Sequence, residues 1–157
     1  MEQEVLKKYL GSEAETVAFG AAIARYFKPG DIVKIIGSLG AGKTTLVRGI
    51  VQGLGGNSTE VHSPTFAYVH HYHTALTEVI HCDFYRLPNG SGLEDWGGLE
   101  FFESESIFLI EWPERVRLFE SAIPNRLLGV ALRANADGRE VRLFGSWHIV
   151  DQINIGR

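Results

Sequence analysis

A single cysteine, Cys82, stands in a chain of 157 residues, so an internal disulfide framework is excluded. Its place in the apolar run "VIHCD" reads as a small core position. Long hydrophobic runs are lacking too. None reaches 18 residues, and no membrane-spanning helix is expected. Positive charge is in the minority: 15 Lys and Arg against 19 Asp and Glu leave a formal net charge of −4. That balance argues against a protein that coats nucleic acid through its bulk field, although it is compatible with a partner that handles nucleic acid. The Cys/His spacing of a structural zinc site is missing. His62, His70, His71, His73 and His81 therefore read as a half-exposed hairpin face, with His71 and His73 on one side of a strand and His81 opposite. The guanine-reading run N-K-x-D is absent, as are repeats, low-complexity tracts and a linker between domains. The first residues, "MEQEVLKKYLGSEAET", are acidic and polar, unlike a signal peptide. One domain in a reducing, cytoplasmic setting is expected, with 45% hydrophobic residues to fill one core.

What is present is a strong alternation of strand and helix signals. "EVLKKYL" reads as a strand, and "SEAE" (Ser12 to Glu15) as a capping box opening a helix over "TVAFGAAIARYF", which "KPGD" ends. "DIVKIIG" is a buried strand, followed by a Gly-rich loop and the helix "TTLVRGIVQGL", ended by Gly55 and Gly56. "FAYVHHYHT" and "TEVIHCDFYRL" read as two strands of a hairpin joined around Ala75 and Leu76. "LEDWGGLEFF" is a weak helix, "SIFLIEW" a buried strand, and "PERVRLF" a short helix with Pro113 in its first turn. "NRLLGVALRA" and "REVRLFG" form a hairpin around the Asp137-Gly138 step. The fold class that follows is α/β: a mixed sheet with a parallel core, two added antiparallel hairpins, and flanking helices.

The Gly-rich loop carries the chemistry. Gly37, Gly42, Lys43 and Thr44 fill every fixed position of G-x-x-x-x-G-K-[ST], between an apolar strand and a helix. Glycines let the backbone amides of Ser38, Leu39, Gly40 and Ala41 turn toward one anion at a helix N-terminus. Lys43 reaches the β- and γ-phosphates, Thr44 offers a hydroxyl to Mg²⁺, and Thr45 is a further nucleotide contact of the loop. A nucleoside triphosphate and Mg²⁺ are thus the expected cofactors. A cradle of this kind needs a carboxylate at the end of a neighbouring strand. Glu111 ends "IFLIE" and Asp83 ends "VIHCD"; one acid holds the metal and the other orients the attacking water. Thr65 in "HSPTF" stands where a switch-type threonine senses the γ-phosphate. Trp112 either packs over the nucleotide or belongs to the core. Four activities stay open: a switch-like ATPase acting through partners, a kinase for a small molecule, a GTPase, which the missing N-K-x-D disfavours, and a nucleotide-sensing adaptor that does not hydrolyse.

"GSLGAGKTTLVRG", "SPTFAYV", "HCDFYRL" and "FLIEWPE" follow one another much as in the TsaE (YjeE) family, which the chain resembles from Gly37 to Glu114. The family comprises small P-loop ATPases of bacterial threonylcarbamoyladenosine synthesis on tRNA. The resemblance implies ATP as the nucleotide and two protein partners, TsaB and TsaD. TsaD transfers the threonylcarbamoyl group to adenosine 37 of tRNA, so tRNA is met only through the complex. The ATP cycle of the family member resets the assembly between turnovers. By the same resemblance Lys43 holds phosphate, Thr44 and Glu111 hold Mg²⁺, Asp83 serves hydrolysis, and Thr65 belongs to a switch-like segment. Glu13 and Arg139 are implied as nucleotide contacts. One position departs from the family's usual "GDLGAGKT": Ser38 stands where an acid is usual, which bears on hydrolysis rate more than on binding.

Overall fold

The computed structural model describes residues 4–62, 68–97, 105–117 and 127–145. Among them the chain forms β1 (Glu4–Leu10), α1 (Glu13–Ala24), β2 (Ile32–Ile36), α2 (Lys43–Gly53), β3 (Val69–His73), β4 (Glu78–Asp83), β5 (Ile107–Glu111), β6 (Leu127–Asn135) and β7 (Gly138–Phe144). All seven strands join one sheet in the order β1-β7-β6-β2-β5-β4-β3. The middle pairs β6/β2, β2/β5 and β5/β4 are parallel, and the outer pairs are antiparallel. This is the mixed sheet expected from the sequence, with one hairpin at each side of a parallel core.

Composition explains the arrangement. Apart from Lys34 and Glu111, "IVKII" and "IFLIE" are apolar on both faces, which suits central parallel strands covered on both sides. Val33 and Ile35 of β2 face a core shared with Phe19, Ile23, Leu46, Val47 and Ile50 of the two helices. Ile32 faces the other side, packed with Ile80, Cys82, Phe84, Phe108 and Trp96. The helices touch backbone to backbone. A Cβ built on Gly49 would stand 2.2 Å from the carbonyl oxygen of Val17, and one on Gly53 2.6 Å from that of Ala21. This close contact fixes α2, whose first residue is the lysine of the loop.

Several element ends differ from the sequence expectation. α1 stops at Ala24 because Tyr26 and Phe27 close tight turns onto Ile23 and Ala24, ahead of the backbone restraint that Pro29 imposes on Lys28. β4 stops at Asp83, whose carboxylate accepts the amide of Tyr85 and turns the chain. "LEDW" and "PER" are single 3₁₀ turns, and Val116 is already extended. Ala136 and Asp137, one residue earlier than the Asp-Gly step, form the second hairpin's turn, with Gly138 already paired to Asn135. The capping box forms in altered form: Ser12 caps the amide of Glu15, while the Glu15 carboxylate reaches back to Gly11.

Candidate functional site

Strand direction decides where the polar residues collect. β2, β4, β5 and β6 run the same way, so their C-terminal ends share one edge of the sheet, where α/β proteins bind ligands. The loop after β2, Asp83 closing β4 and Glu111 closing β5 meet there. β1 has the same direction through two antiparallel steps, so α1 begins at this edge and brings Glu13. The β6–β7 turn lies at the same edge and carries Arg139 over the loop. Together these elements wall a cavity of about 430 Å³. Of the residues selected from the sequence, Glu13, Leu39, Gly40, Gly42, Lys43, Thr44, Thr45, Asp83, Glu111, Trp112 and Arg139 line it. Gly37, Ser38 and Ala41 do not. Ala41 is buried, and Gly37 packs beneath the cavity, where a Cβ would come within 2.8 Å of the carbonyl of Leu132. Ser38 is exposed and contributes its carbonyl. Thr65 lies outside the described residues.

The loop is shaped around its lysine. Gly42 has φ +103°, a conformation that residues with a Cβ rarely adopt, and a Cβ there would lie 2.0 Å from Nη1 of Arg139. Lys43 is 5% exposed. Its Nζ donates to the carbonyls of Gly37 (2.6 Å) and Ser38 (2.8 Å) and sits 4.6 Å from the centroid of the Trp112 ring. Burial lowers its pKa, against the pull of Glu111, Asp83 and Glu114. Trp112 is the one non-glycine residue with positive φ (57°) among those described, and it precedes Pro113. Its ring also lies 4.9 Å from that of Tyr85. Trp112 therefore lines the cavity beside Lys43, so the core reading does not suffice for it.

The two residues selected from the sequence as Mg²⁺ ligands, Thr44 and Glu111, are in contact. The hydroxyl of Thr44 lies 3.2 Å from each carboxylate oxygen of Glu111. Adjacent ligands about 2.1 Å from an octahedral Mg²⁺ stand about 3.0 Å apart, so this pair fits the ion with little rearrangement. Among the described residues no three His, Cys, Asp or Glu side chains group as a metal cage. A site with two protein ligands is the pattern Mg²⁺ uses when water and phosphate complete its shell. Asp83 is the register partner of Glu111 on the neighbouring strand. Burial raises its pKa, partly offset by the Tyr85 amide and reinforced by Glu111. Arg139 has its Nε buried without a hydrogen-bond partner among the described residues, beside Gly42. A half-buried guanidinium whose Nε lacks such a partner, at a loop of backbone amides, is suited to a polyanion. Glu13 instead pairs with Arg48 at 3.5 Å, at the rim.

The sequence reading missed Tyr68 and Tyr85, which also line the cavity, as does Arg86, one of the arginines the sequence offers for phosphate or partner contact. Tyr85 sits between Asp83 and Arg86 in "DFYRL". The sequence reading also misplaced His81. This residue opposes His70, has no exposed surface, and holds Glu111 with Nε2 2.6 Å from Oε2. The apolar residues on both sides of it, Val79, Ile80 and Cys82, carried the signal, since a strand buried on both faces leaves His81 no open side.

The family profile described as "Threonylcarbamoyl adenosine biosynthesis protein TsaE" matches residues 10–141. The chain is 38% identical over 128 residues to the tRNA threonylcarbamoyladenosine biosynthesis protein TsaE of Bacillus subtilis, covering 81% of this chain and 77% of the relative. It is 33% identical to the protein of the same name from Haemophilus influenzae, covering 98% of this chain and 94% of the relative. Its backbone resembles the crystal structure of Bacillus subtilis YdiB, with TM-score 0.71 and 28% identity over 99% of this chain and 95% of that one. With a P-loop, two strand-end acids and these likenesses in one chain, the protein belongs to the TsaE family.

Proposed function

We propose that this protein binds ATP with Mg²⁺ in the cavity and hydrolyses it slowly. We propose further that the cycle supports threonylcarbamoyladenosine formation at adenosine 37 of tRNA, through partners of the TsaB and TsaD kind. The carrying observation is the Thr44–Glu111 pair at 3.2 Å beside the glycine loop. Membership in the family, and the pathway in the relatives' names, support the biological role.

Each residue then has a defined task. Lys43 exchanges the carbonyls of Gly37 and Ser38 for phosphate oxygens, so its ammonium is held in place before the ligand arrives. The loop amides and Arg139 offer hydrogen bonds to the remaining phosphate oxygens. Thr44 and Glu111 would hold the Mg²⁺, which when bound would offset the charge developing on the phosphates. Asp83 orients the attacking water, and its burial-raised proton affinity suits a group that accepts a proton from it. Trp112 and Tyr85 supply apolar ring surface at the wall of the cavity.

Calorimetric titration tests the binding step. Lys43→Ala should lose ATP binding, and unchanged affinity would sink the assignment. ADP release, measured with TsaB, TsaD and tRNA present, tests the cycle. Turnover that stays at zero in the full mixture would favour the nucleotide-sensing adaptor, and phosphate transferred to a small molecule would favour the kinase.

A further inference from the structure

Three polar side chains are buried in tandem behind the metal pair. His81 is 0% exposed, Glu111 2% and Tyr72 3%. A buried histidine is costly unless both ring nitrogens are paired, and here both are. Nε2 lies 2.6 Å from Glu111 Oε2, and Nδ1 lies 3.0 Å from the Tyr72 hydroxyl. The chemistry of the partners orders the donors. A carboxylate only accepts, so Nε2 carries a hydrogen. The Tyr72 hydroxyl accepts a backbone hydrogen bond from His62, which leaves its own hydrogen for Nδ1. Burial pushes that hydroxyl's pKa up to about 12, so it stays a donor at neutral pH. The chain therefore runs from the His62 amide through Tyr72 and His81 to Glu111, with Thr44 donating to the same carboxylate from the cavity side.

We infer that His81 is a positioning residue: it pins Glu111 from behind so that the carboxylate is presented to Mg²⁺ beside Thr44, and Tyr72 fixes the ring tautomer that does this. The inference rests on the cavity being the Mg²⁺–ATP site. Glu111 has three side-chain torsions and no hydroxyl or amide of its own to anchor it. Without the histidine, its buried carboxylate either swings to a new partner or keeps one hydroxyl, that of Thr44, to serve both oxygens. Partners that hold a metal ligand from behind are commonly worth 10- to 100-fold in metal affinity.

The test uses the full chain with His81→Gln, which keeps an N–H near the former Nε2, and His81→Leu, which removes it. Three quantities are measured: the Mg²⁺ concentration giving half-maximal ATP binding, ATP affinity in EDTA, and the melting temperature. His81→Leu should need roughly 10- to 100-fold more Mg²⁺ while its EDTA affinity is unchanged. His81→Gln should recover most of that loss, and Tyr72→Phe should show a smaller shift in the same direction. If His81→Leu does not fold, His81→Asn replaces it, since its amide is too short to reach Glu111. An unchanged Mg²⁺ requirement, or equal losses with and without Mg²⁺, overturns the positioning role while leaving the ATP site standing. Wild-type ATP binding that ignores Mg²⁺ overturns the reading of the cavity and this inference with it. Imidazole ¹⁵N NMR of the ligand-free protein gives a separate check: an Nδ1–H tautomer at His81 contradicts the donor order whatever the cavity binds.

Discussion

Replacing Gly42 by alanine probes the loop and Arg139 in one step. Gly42 and Gly40 both have positive φ, +103° and +77°. An L-residue in such a conformation costs about 1–2 kcal/mol. At about 2–4 °C per kcal/mol for a chain of this size, Gly40→Ala should lower the Tm by about 2–8 °C. The space around Gly40 is open, so nothing more is added. At Gly42 the new Cβ would meet Arg139, 2.0 Å from Nη1, 3.0 Å from Cζ and 3.3 Å from Cδ. Every one of these atoms belongs to the far part of a flexible side chain, so the guanidinium yields and the backbone stays. Gly42→Ala should therefore melt within the same window as Gly40→Ala, yet bind ATP more weakly. Loss of one charge-assisted hydrogen bond, about 1.5–3 kcal/mol, corresponds to about 10- to 150-fold in affinity. Thermal melting and calorimetric titration on Gly40→Ala, Gly42→Ala, Arg139→Ala and the Gly42→Ala/Arg139→Ala double variant separate the two effects. In the double variant the affinity losses should be far from additive, because the clash has lost its target. Equal affinity losses at Gly40 and Gly42, or a melting point for Gly42→Ala far below that of Gly40→Ala, would refute the reasoning.

Two further outcomes are expected. Asp83 holds its proton more tightly in the folded chain than its ordinary pKa of 3.8 allows, mainly through burial. Its contribution to stability is thus fully present below that value and is lost as pH rises through the raised one. The Tm of Asp83→Asn should match wild type near pH 3 and rise above it toward neutral pH; a difference independent of pH would contradict this. Gly49→Ala should loosen the α1–α2 contact, because its Cβ would press on the backbone carbonyl of Val17, which cannot rotate away. The cost is about 1–3 kcal/mol, and an unchanged melting curve would show that the helices slide apart freely.

The loop was legible because its spacing is dictated by backbone chemistry within nine consecutive residues, Gly37 to Thr45. The acids Glu111 and Asp83 were legible because each ends an apolar run, and strand ends are where a parallel sheet presents ligands. The helix ends were less so, since Tyr26 and Phe27 are apolar and continue the pattern after the hydrogen bonds have changed.

By itself, the sequence determined the parallel core, the two hairpins, the phosphate loop and the two strand-end acids. Each of these depends on local spacing: glycines where φ is positive, apolar runs where strands are covered on both faces, an Asp-Gly step near a turn. Only the tertiary structure decided that His81 is a buried partner of Glu111, that Trp112 lies against Lys43, and that Arg139 closes over Gly42 from about a hundred residues away. Those meetings follow from strand order and direction. Strand order and direction are set by which faces bury together across the whole sheet, and no short stretch of the chain encodes that choice.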